Sequence, residues 1–576
     1  MQDLKTILDL LNYKQKKVIF YLALMIVIGA CLELIGISLI LPVIDVIQNP
    51  DSNIYKKIFS NTNNTFGKFF ENSNLIFLVL FFVYMIKNVF LAFLTWHQFK
   101  WAASIQIFFS KKLFSTYLQK PYSFHIKKSS SELYRNLDEV DMLGRAIASG
   151  LALMTEAVLI LSIFVLLIFL QPVAAMLSVV SFGLMGALVL FLTKKRLMEL
   201  GKDRQIYLKN RVTNIRESFG AAFKEIKLNQ SEDEFLETYH KSNSNYAKVG
   251  LKASTIQELP KYFFEQFAIL VLILLLLLLD YMGKTNSDII SILGLFAVAI
   301  FRVLPSIKKI LHSYQYISYG SAAINLIKTE ISHDKSSKNE FIHDSKKSKI
   351  LKFEKNIIFK NVSFSYDDKF IVAIEDLNLK INKNEIIGII GESGSGKSTF
   401  VDLLSGLLAP THGKILADND EDIAQNYASW QKNIGYVSQN IFLLDDTIKN
   451  NILFSKNNKD VDTNLVNSIL QKSGLKKFVE NLPNGLDTNI GELGSKLSGG
   501  EIQRIGIARV LYKNPKILIF DESTNALDSE NELKILKTIE NLKGKCTIFL
   551  ISHKKINLDI CDVVLELKNG IIKEIS

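Results

Sequence analysis

The sequence predicts two unlike folds in one chain: an all-α membrane domain with six transmembrane helices, then an α/β P-loop domain. Three observations predict this. Six windows are apolar enough and long enough to cross a bilayer, which takes roughly 20 residues each. From Leu351 the texture changes to short Ile/Val/Leu/Phe strands alternating with helical stretches, the pattern of a layered α/β domain. In that second part a glycine-rich loop, Gly391–Thr399, stands between a strand and a helix.

The expected spans are Val18–Ile44, Leu75–Trp96, Ile147–Leu170, Val173–Leu192, Phe263–Met282 and Asp288–Leu304. The fifth is the most apolar, with an unbroken run from Ile269 to Leu279. Only Gln171-Pro172 separates the third from the fourth, so these two are expected to form a tight hairpin. Orientation follows from the basic residues, which stay on the cytoplasmic side. Lys14, Lys16 and Lys17 precede the first span. Lys111, Lys112, Lys120, Lys127, Lys128 and Arg135 lie between the second and third, and Lys194-Lys195-Arg196 follow the fourth. An even number of spans returns the chain to the cytoplasm. The apolar stretch after the polar N-terminus is too long for a signal-peptide core, so no cleavable leader is expected.

Residues 97–146 and 193–262 have few prolines or glycines and are expected to be helical arms extending below the membrane. The first outer segment, Gln48–Asn74, mixes Tyr55, Ile58, Phe59, Phe66, Phe69 and Phe70 with Asn, Ser and Lys. It reads either as an interfacial amphipathic helix or as an ordinary loop. Residues 331–350 are polar and charged and read as a linker. The domains are therefore expected at 1–330 and 351–576.

The 576 residues are 48% hydrophobic and carry a formal net charge of +11. Basic cytoplasmic loops explain that charge. Nucleic-acid binding would need a basic patch on a recognisable nucleic-acid fold, and none is found. Cys31, Cys546 and Cys561 are scattered without metal-like spacing, so neither a zinc site nor a disulfide framework is expected.

The chemistry is concentrated in the second part. The strand Glu385–Ile390 runs into Gly391-Glu-Ser393-Gly394-Ser395-Gly396-Lys397-Ser398-Thr399, followed by the helical Phe400–Leu408. This is a full Walker A motif in the context it requires. Its glycines let backbone N–H groups curl around phosphate oxygens, and the helix N-terminus adds positive potential. Lys397 is expected to reach the β- and γ-phosphates of ATP, and the Ser398 hydroxyl to ligate Mg2+. The strand Lys516–Phe520 ends in Asp521-Glu522, a Walker B motif. Asp521 is placed to hold Mg2+, and Glu522 to polarise the attacking water. Phosphoryl transfer asks the protein mainly for positioning and charge stabilisation.

Leu497-Ser498-Gly499-Gly500-Glu501-Ile502-Gln503-Arg504 resembles the signature motif of the ABC superfamily, and the resemblance extends along 351–576. It implies an ABC exporter: a six-helix membrane domain joined to an ABC ATPase domain. Tyr366 resembles the aromatic residue that stacks on adenine. Gln439 resembles the Q-loop glutamine that senses Mg2+ and the membrane domain. Thr488–Gly494 resembles the X-loop of exporters, Asn525–Asp528 the D-loop, and His553 the switch histidine. The resemblance further implies that Ser498, Gly499, Gly500, Gln503 and Asp528 act on nucleotide in a homodimer, with each signature facing ATP held by the partner's Walker A. Four positions depart from the usual pattern: Glu501 where Gln is commoner, Asn525 where Ser is commoner, and Lys554-Lys555 where Arg-Leu is frequent. None removes a catalytic group.

The cargo is less directly written. Glu33–Pro42, Phe301–Pro305 and His312–Tyr314 resemble PglK-type flippases of lipid-linked oligosaccharides. That implies a bacterial inner-membrane protein moving a polyprenyl-pyrophosphate glycan from the cytoplasmic to the outer leaflet. Export of another lipid, a peptide or hydrophobic drugs is the alternative. No peptidase-like segment precedes the first span, which counts against a processing peptide exporter. Spans exclude a soluble ATPase acting on DNA or ribosomes, and an intact Glu522 argues against an ATP-gated channel. Lys87, Lys261, Arg302 and Lys309 are expected near the cytoplasmic half of the membrane. A cation there costs about 2.5–3.5 kcal/mol on insertion scales, so it tends to face a cavity or a partner. Either the four form a basic belt around a pyrophosphate, or they snorkel to headgroups or pair with Glu33, Glu156 or Glu265.

Overall fold

The computed structural model describes residues 11–39, 73–283, 286–337, 351–366, 372–418, 421–455, 462–522, 529–552 and 559–575. Most of the outer segment 48–74, and the linker from 338 onward, lie outside these residues. The chain divides into two compact units, Met1–Lys120 with Lys127–Ser337, and Pro121–Ile126 with Lys338–Ser576.

The first unit is helical. α1 spans Tyr13–Ser38 and α2 Ser73–Gln119. A short helix, α3 (Tyr122–Lys127), follows the Pro121 break, and its residues up to Ile126 group with the second unit. α4 (Ser130–Leu170) starts at an N-cap in which the Ser129 side chain accepts the Glu132 N–H. α5 (Pro172–Arg216) begins immediately after Gln171, so the third and fourth spans do turn on a single residue. Proline suits that first helical position because its missing N–H would have no partner there. α5 ends in a π-helical turn, Glu217–Ala221, and the second arm continues through Phe223–Asn229 to α6 (Glu232–Glu258). The expected arms are therefore pairs of long helices joined by short ones. α7 (Pro260–Tyr281), α8 (Asn286–Tyr319) and α9 (Ser321–Ser337) complete the unit. α9 carries helix into the beginning of the segment expected as linker.

Among the described residues, five helices are long and apolar enough to cross a membrane; the sixth expected span lies within α8. Their outer faces carry bare apolar side chains such as Phe169, Phe191 and Tyr281. Inner faces meet in a cluster containing Ile37, Ile163, Leu167, Leu275, Leu279 and Phe296. In the helical extension beyond the spans the core changes character. Glu139 is fully buried and accepts from Arg204 Nη2 at 2.5 Å, and the Arg204 guanidinium lies 5.4 Å from the Tyr319 ring centre. α5 and α8 approach there because Gly201 has no side chain: a Cβ would fall inside the contact radius of the Tyr319 carbonyl oxygen.

The second unit holds two sheets. β1 (Asn356–Ser365), β2 (Val372–Asn382), β4 (His412–Ala417) and β5 (Glu421–Asp422) form an antiparallel sheet ordered β2-β1-β4-β5. β3 (Ile386–Gly391), β6 (Ile434–Val437), β7 (Ile517–Asp521), β8 (Thr547–Ile551), β9 (Val563–Lys568) and β10 (Ile571–Glu574) form the other, ordered β10-β9-β3-β8-β7-β6. Every pair in the second sheet is parallel except β9–β10. β8 is buried along its whole length, as expected of a central parallel strand covered on both faces. One face, which carries Phe549, packs on Phe359, Phe400 and Trp430. Phe359 stacks on Phe400 at 5.3 Å, and Trp430 Nε1 donates to the Leu404 carbonyl at 2.7 Å. The other face packs on Ile535 and Ile539.

Replacing Gly201 by Ala should cost about 1–3 kcal/mol, the usual penalty of overpacking, because the crowding atom is backbone. The same change at Gly186, which has nothing within 4 Å, is the control. Thermal melting of the detergent-purified chain reads the difference. Equal melting temperatures for the two variants would refute the close approach.

Candidate functional site: the phosphate loop and the carboxylate pair

In an open parallel sheet, ligands sit outside the carboxyl ends of the strands. β3 and β7 both flank β8, so the loop after one and the carboxylates ending the other are drawn to the same edge. β3 delivers Gly391, and α10 (Lys397–Leu404) opens behind Gly396. Gly396 sits at φ 106°, and a Cβ there would stand 2.5 Å from the Ala373 carbonyl oxygen. Only glycine can make this turn without strain. Lys397 is buried and its Nζ donates to the carbonyls of Gly391 and Glu392 at 2.8 and 2.9 Å. The ammonium is thus held over the loop it is expected to serve. Ser398 stands exposed in the first turn of α10, while Ser395 Oγ is buried with no hydrogen-bond partner. An unsatisfied hydroxyl inside a glycine loop at a helix N-terminus fits a phosphate oxygen. Ser393 and Gly394 are exposed on the rim, and Thr399 is buried behind it.

β7 ends in Asp521, which accepts a 2.8 Å hydrogen bond from the Tyr436 hydroxyl. Burial pushes the Asp521 carboxyl above its ordinary range. The Glu522 charge pushes the same way, while the Tyr436 bond and Lys397 pull it down. A cation between these groups would relieve that penalty, which is how a divalent metal fits this donor set. Glu522 has φ 46°, a left-handed backbone costing of order 1–3 kcal/mol in a non-glycine residue. Its N–H donates to the Ile551 carbonyl at 3.2 Å, and its Oε2 accepts from Gln439 Nε2 at 2.9 Å. One end of β6 therefore contacts both carboxylates, Tyr436 reaching Asp521 and Gln439 reaching Glu522. Tyr436 was not singled out in the sequence, although its position next to the Q-loop glutamine on a strand paired with β7 would have pointed to it.

Tyr366 is half-buried, edge-on to Phe364 at 5.0 Å, and its hydroxyl lies 3.1 Å from Thr399 Oγ1. That anchors the ring beside the loop. The signature helix α11 (Gly499–Tyr512) begins with a capping box: Ser498 Oγ accepts the Glu501 N–H at 3.4 Å, and Glu501 Oε2 accepts the Ser498 N–H at 2.7 Å. This gives the unusual Glu501 a structural reason. Ser498 and Gly499 are exposed at the helix N-terminus, and nothing lies within 4 Å of a Cβ built on Gly499. Gln503 is different. It is 4% exposed on the inner face of α11, in phase with Ile507 and Val510, so the structure removes it from the residues able to reach nucleotide. Asp528 and His553 lie outside the described residues.

In the membrane unit three of the four cations pair with carboxylates named as alternative partners, and Lys261 lies apart from them. Lys87 and Arg302 meet at Glu33, and Lys309 meets Glu156. Lys261 lines a cavity of about 290 Å³ with Phe264, Phe301, Pro305 and Lys308. Its Nζ lies 5.0 Å from the Tyr262 ring centre.

Comparison with known proteins agrees with both halves. Residues 19–302 match the ABC transporter transmembrane region and residues 374–525 the ABC transporter family. An ATP-dependent lipid A-core flippase of Ralstonia nicotianae is 28% identical over 475 residues, covering 80% of this chain and 77% of that protein. The protein of the same name from Escherichia coli strain K12 is 25% identical over 469 residues, covering 81% and 78%. A bacterial Atm1-family ABC exporter solved with ATP bound shares the fold. Its TM-score is 0.79 at 20% identity, over 96% of this chain and 95% of that one. The chain is an ABC exporter half-transporter, in which a membrane-spanning export domain and an ATP-hydrolysing domain that drives it are one polypeptide.

Proposed function

We propose that the chain is the repeating half of a homodimeric flippase in a bacterial inner membrane, moving a polyprenyl-pyrophosphate-linked oligosaccharide to the outer leaflet. The observation that carries the reading is the convergence of Lys87, Arg302 and Lys309 on two carboxylates within the span bundle. The cluster holds more positive than negative charge, which suits a pyrophosphate. The PglK-type resemblance of Glu33–Pro42 and Phe301–Pro305 points the same way. The relatives named as lipid A-core flippases support a lipid cargo without fixing which lipid. Lys261, in its own cavity, remains a candidate for the headgroup before it reaches the cluster.

In this reading Lys397 and the Gly391–Gly396 loop bind the phosphates of ATP, and Tyr366 stacks on its adenine. Ser398, Asp521 and Gln439 hold Mg2+, which supplies charge neutralisation. Glu522 orients the attacking water. Ser498, Gly499 and Gly500 complete the site on the partner chain, so two ATP molecules lie between two identical subunits. Asp528 is assigned to the nucleotide and His553 to its γ-phosphate by the resemblance alone, both lying outside the described residues.

Glu522→Gln should still bind ATP but hydrolyse it at least tenfold more slowly, equivalent to about 1.4 kcal/mol in the barrier. Steady-state phosphate release with a nucleotide-binding control measures this; near wild-type turnover removes Glu522 from the role.

A tandem-fused dimer of one Lys397→Ala chain and one Ser498→Arg chain tests the shared site. If the signature acts on the partner's nucleotide, one site carries both lesions and the other neither, and one ATP is bound per dimer. If each chain completes its own site, both sites are damaged and no normal site is found.

The cargo assignment is tested in proteoliposomes with a pyrophosphate-linked glycolipid. Arg302→Ala with Lys309→Ala should abolish flipping. Arginine is the better bidentate partner for phosphate, so the Arg302 single variant should account for most of the loss. Normal flipping by the double variant would remove these cations from the cargo path. Transport of hydrophobic drugs or lipid A-type lipids by the wild type, with the pyrophosphate lipid ignored, would establish a different cargo.

A further inference from the structure

The charge cluster in the membrane unit is a continuous chain of contacts across four helices. Glu33, on α1, is 1% exposed. Its Oε1 accepts from Arg302 Nε of α8 at 2.5 Å, and Lys87 Nζ of α2 lies 3.4 Å from its Oε2. The Lys87 ammonium also lies 4.0 Å from the Tyr84 ring centre. Arg302 Nη1 donates to Ser306 Oγ at 3.2 Å, and Ser306 Oγ donates to Glu156 Oε2 of α4 at 2.6 Å. Glu156 Oε1 accepts from Lys309 Nζ at 2.8 Å. The Glu156 side chain is 6% exposed and that of Lys309 62%.

Three cations and two carboxylates leave one positive charge in excess. A single-charged anion can satisfy that excess without disturbing any pair. An anion of two or more charges cannot; it must take cations that Glu33 and Glu156 now hold. Of these, Lys87 and Arg302, the two less exposed cations, are the ones whose placement costs most when unpaired. The carboxylates therefore occupy the positions that headgroup oxygens would take.

We propose that Glu33 and Glu156 are resident counter-ions that set headgroup selectivity. Binding of the anionic headgroup is an ion exchange, in which phosphate oxygens replace carboxylate oxygens on Arg302, Lys87 and Lys309. An ordinary phospholipid with one negative charge gains too little from the single excess cation to displace a carboxylate. A pyrophosphate presents enough charge at one point to do so. The two acids thus leave bulk lipid only the one excess charge, in a site where the cations alone would offer three to any anion. This inference rests on the cargo reading only for the kind of headgroup, not for the exchange itself.

The variant of choice is Glu156→Gln, because its partner Lys309 is largely exposed and is not stranded by the change. Glu156→Asp keeps the charge and serves as rescue, and Glu33→Gln is the second variant. Native mass spectrometry of the purified full chain, titrated with a polyprenyl pyrophosphate or with phosphatidylglycerol, reads bound lipid directly. In Glu156→Gln, phosphatidylglycerol binding should tighten about tenfold, the effect of roughly 1.4 kcal/mol. Its disadvantage against the pyrophosphate should shrink, and Glu156→Asp should restore the wild-type preference. Unchanged or weaker phosphatidylglycerol binding in Glu156→Gln, with wild-type preference for the pyrophosphate intact, overturns the counter-ion role and leaves the cargo reading standing. If the wild type ignores the pyrophosphate but prefers another multiply phosphorylated lipid, and Glu156→Gln erodes that preference, the cargo reading fails and the counter-ion role stands.

Discussion

Arg302 and Lys87 remain inside the span bundle because Glu33 lies between them. A cation stranded in hydrocarbon is expensive, and a carboxylate stranded beside it is no better. Together, with Ser306 carrying the contact on to Glu156, they become affordable and tie α1, α2, α4 and α8 into one polar seam. The surrounding apolar packing of Ile37, Leu167, Leu275 and Phe296 is non-directional and would tolerate a shift of one helix along another. The ion pairs would not, since their distances fix which turn of each helix faces which.

The ATPase unit meets the same difficulty with a different answer. Asp521 and Glu522 sit side by side at the end of a buried strand, which raises the cost of ionising Asp521. Here the relief comes from Lys397, Tyr436 and Gln439, and from whatever cation occupies the site. The left-handed backbone of Glu522 is part of the same arrangement. It breaks the extended backbone just where the strand ends, so the second carboxylate does not follow the first along the strand. The loop glycines solve the complementary problem, letting backbone come close where a side chain would collide with the Ala373 carbonyl.

Much of this was legible in the residues because the signals are local. A run such as Ile269–Leu279 has few alternatives to a span. Gly391–Thr399 between strand and helix has few alternatives to a phosphate loop, and Gln171-Pro172 between two spans leaves room only for a hairpin. What the sequence hid was long-range pairing. Glu33 and Arg302 are far apart in the chain, and nothing local says that they meet. The four cations could therefore be grouped by depth, with Glu33, Glu156 and Glu265 as alternative partners, but not matched one to another, and Lys261 was placed with a cluster that it does not join. Two other misses were local. The Ser498–Glu501 spacing is that of a capping box, yet Glu501 read only as a departure from a motif. Gln503 read as a ligand because motif membership outweighed helical phase, although it shares the inward face of Ile507.

The lengths of the membrane-unit helices have a mechanical meaning. α2 runs for 47 residues, about 70 Å at 1.5 Å per residue. It has no proline between its ends and is held laterally by α1 and α4. A rod of that length is a lever. Tilting it by roughly 5° about one end carries the other through about 6 Å, close to one helical turn of about 5.4 Å. Small angular changes at one end are thus enlarged at the far end without any bond in the helix breaking. Lys87 sits partway along the rod, where the same tilt moves it by a smaller distance. Even so, a few ångströms of travel exceed the reach of its contact with Glu33.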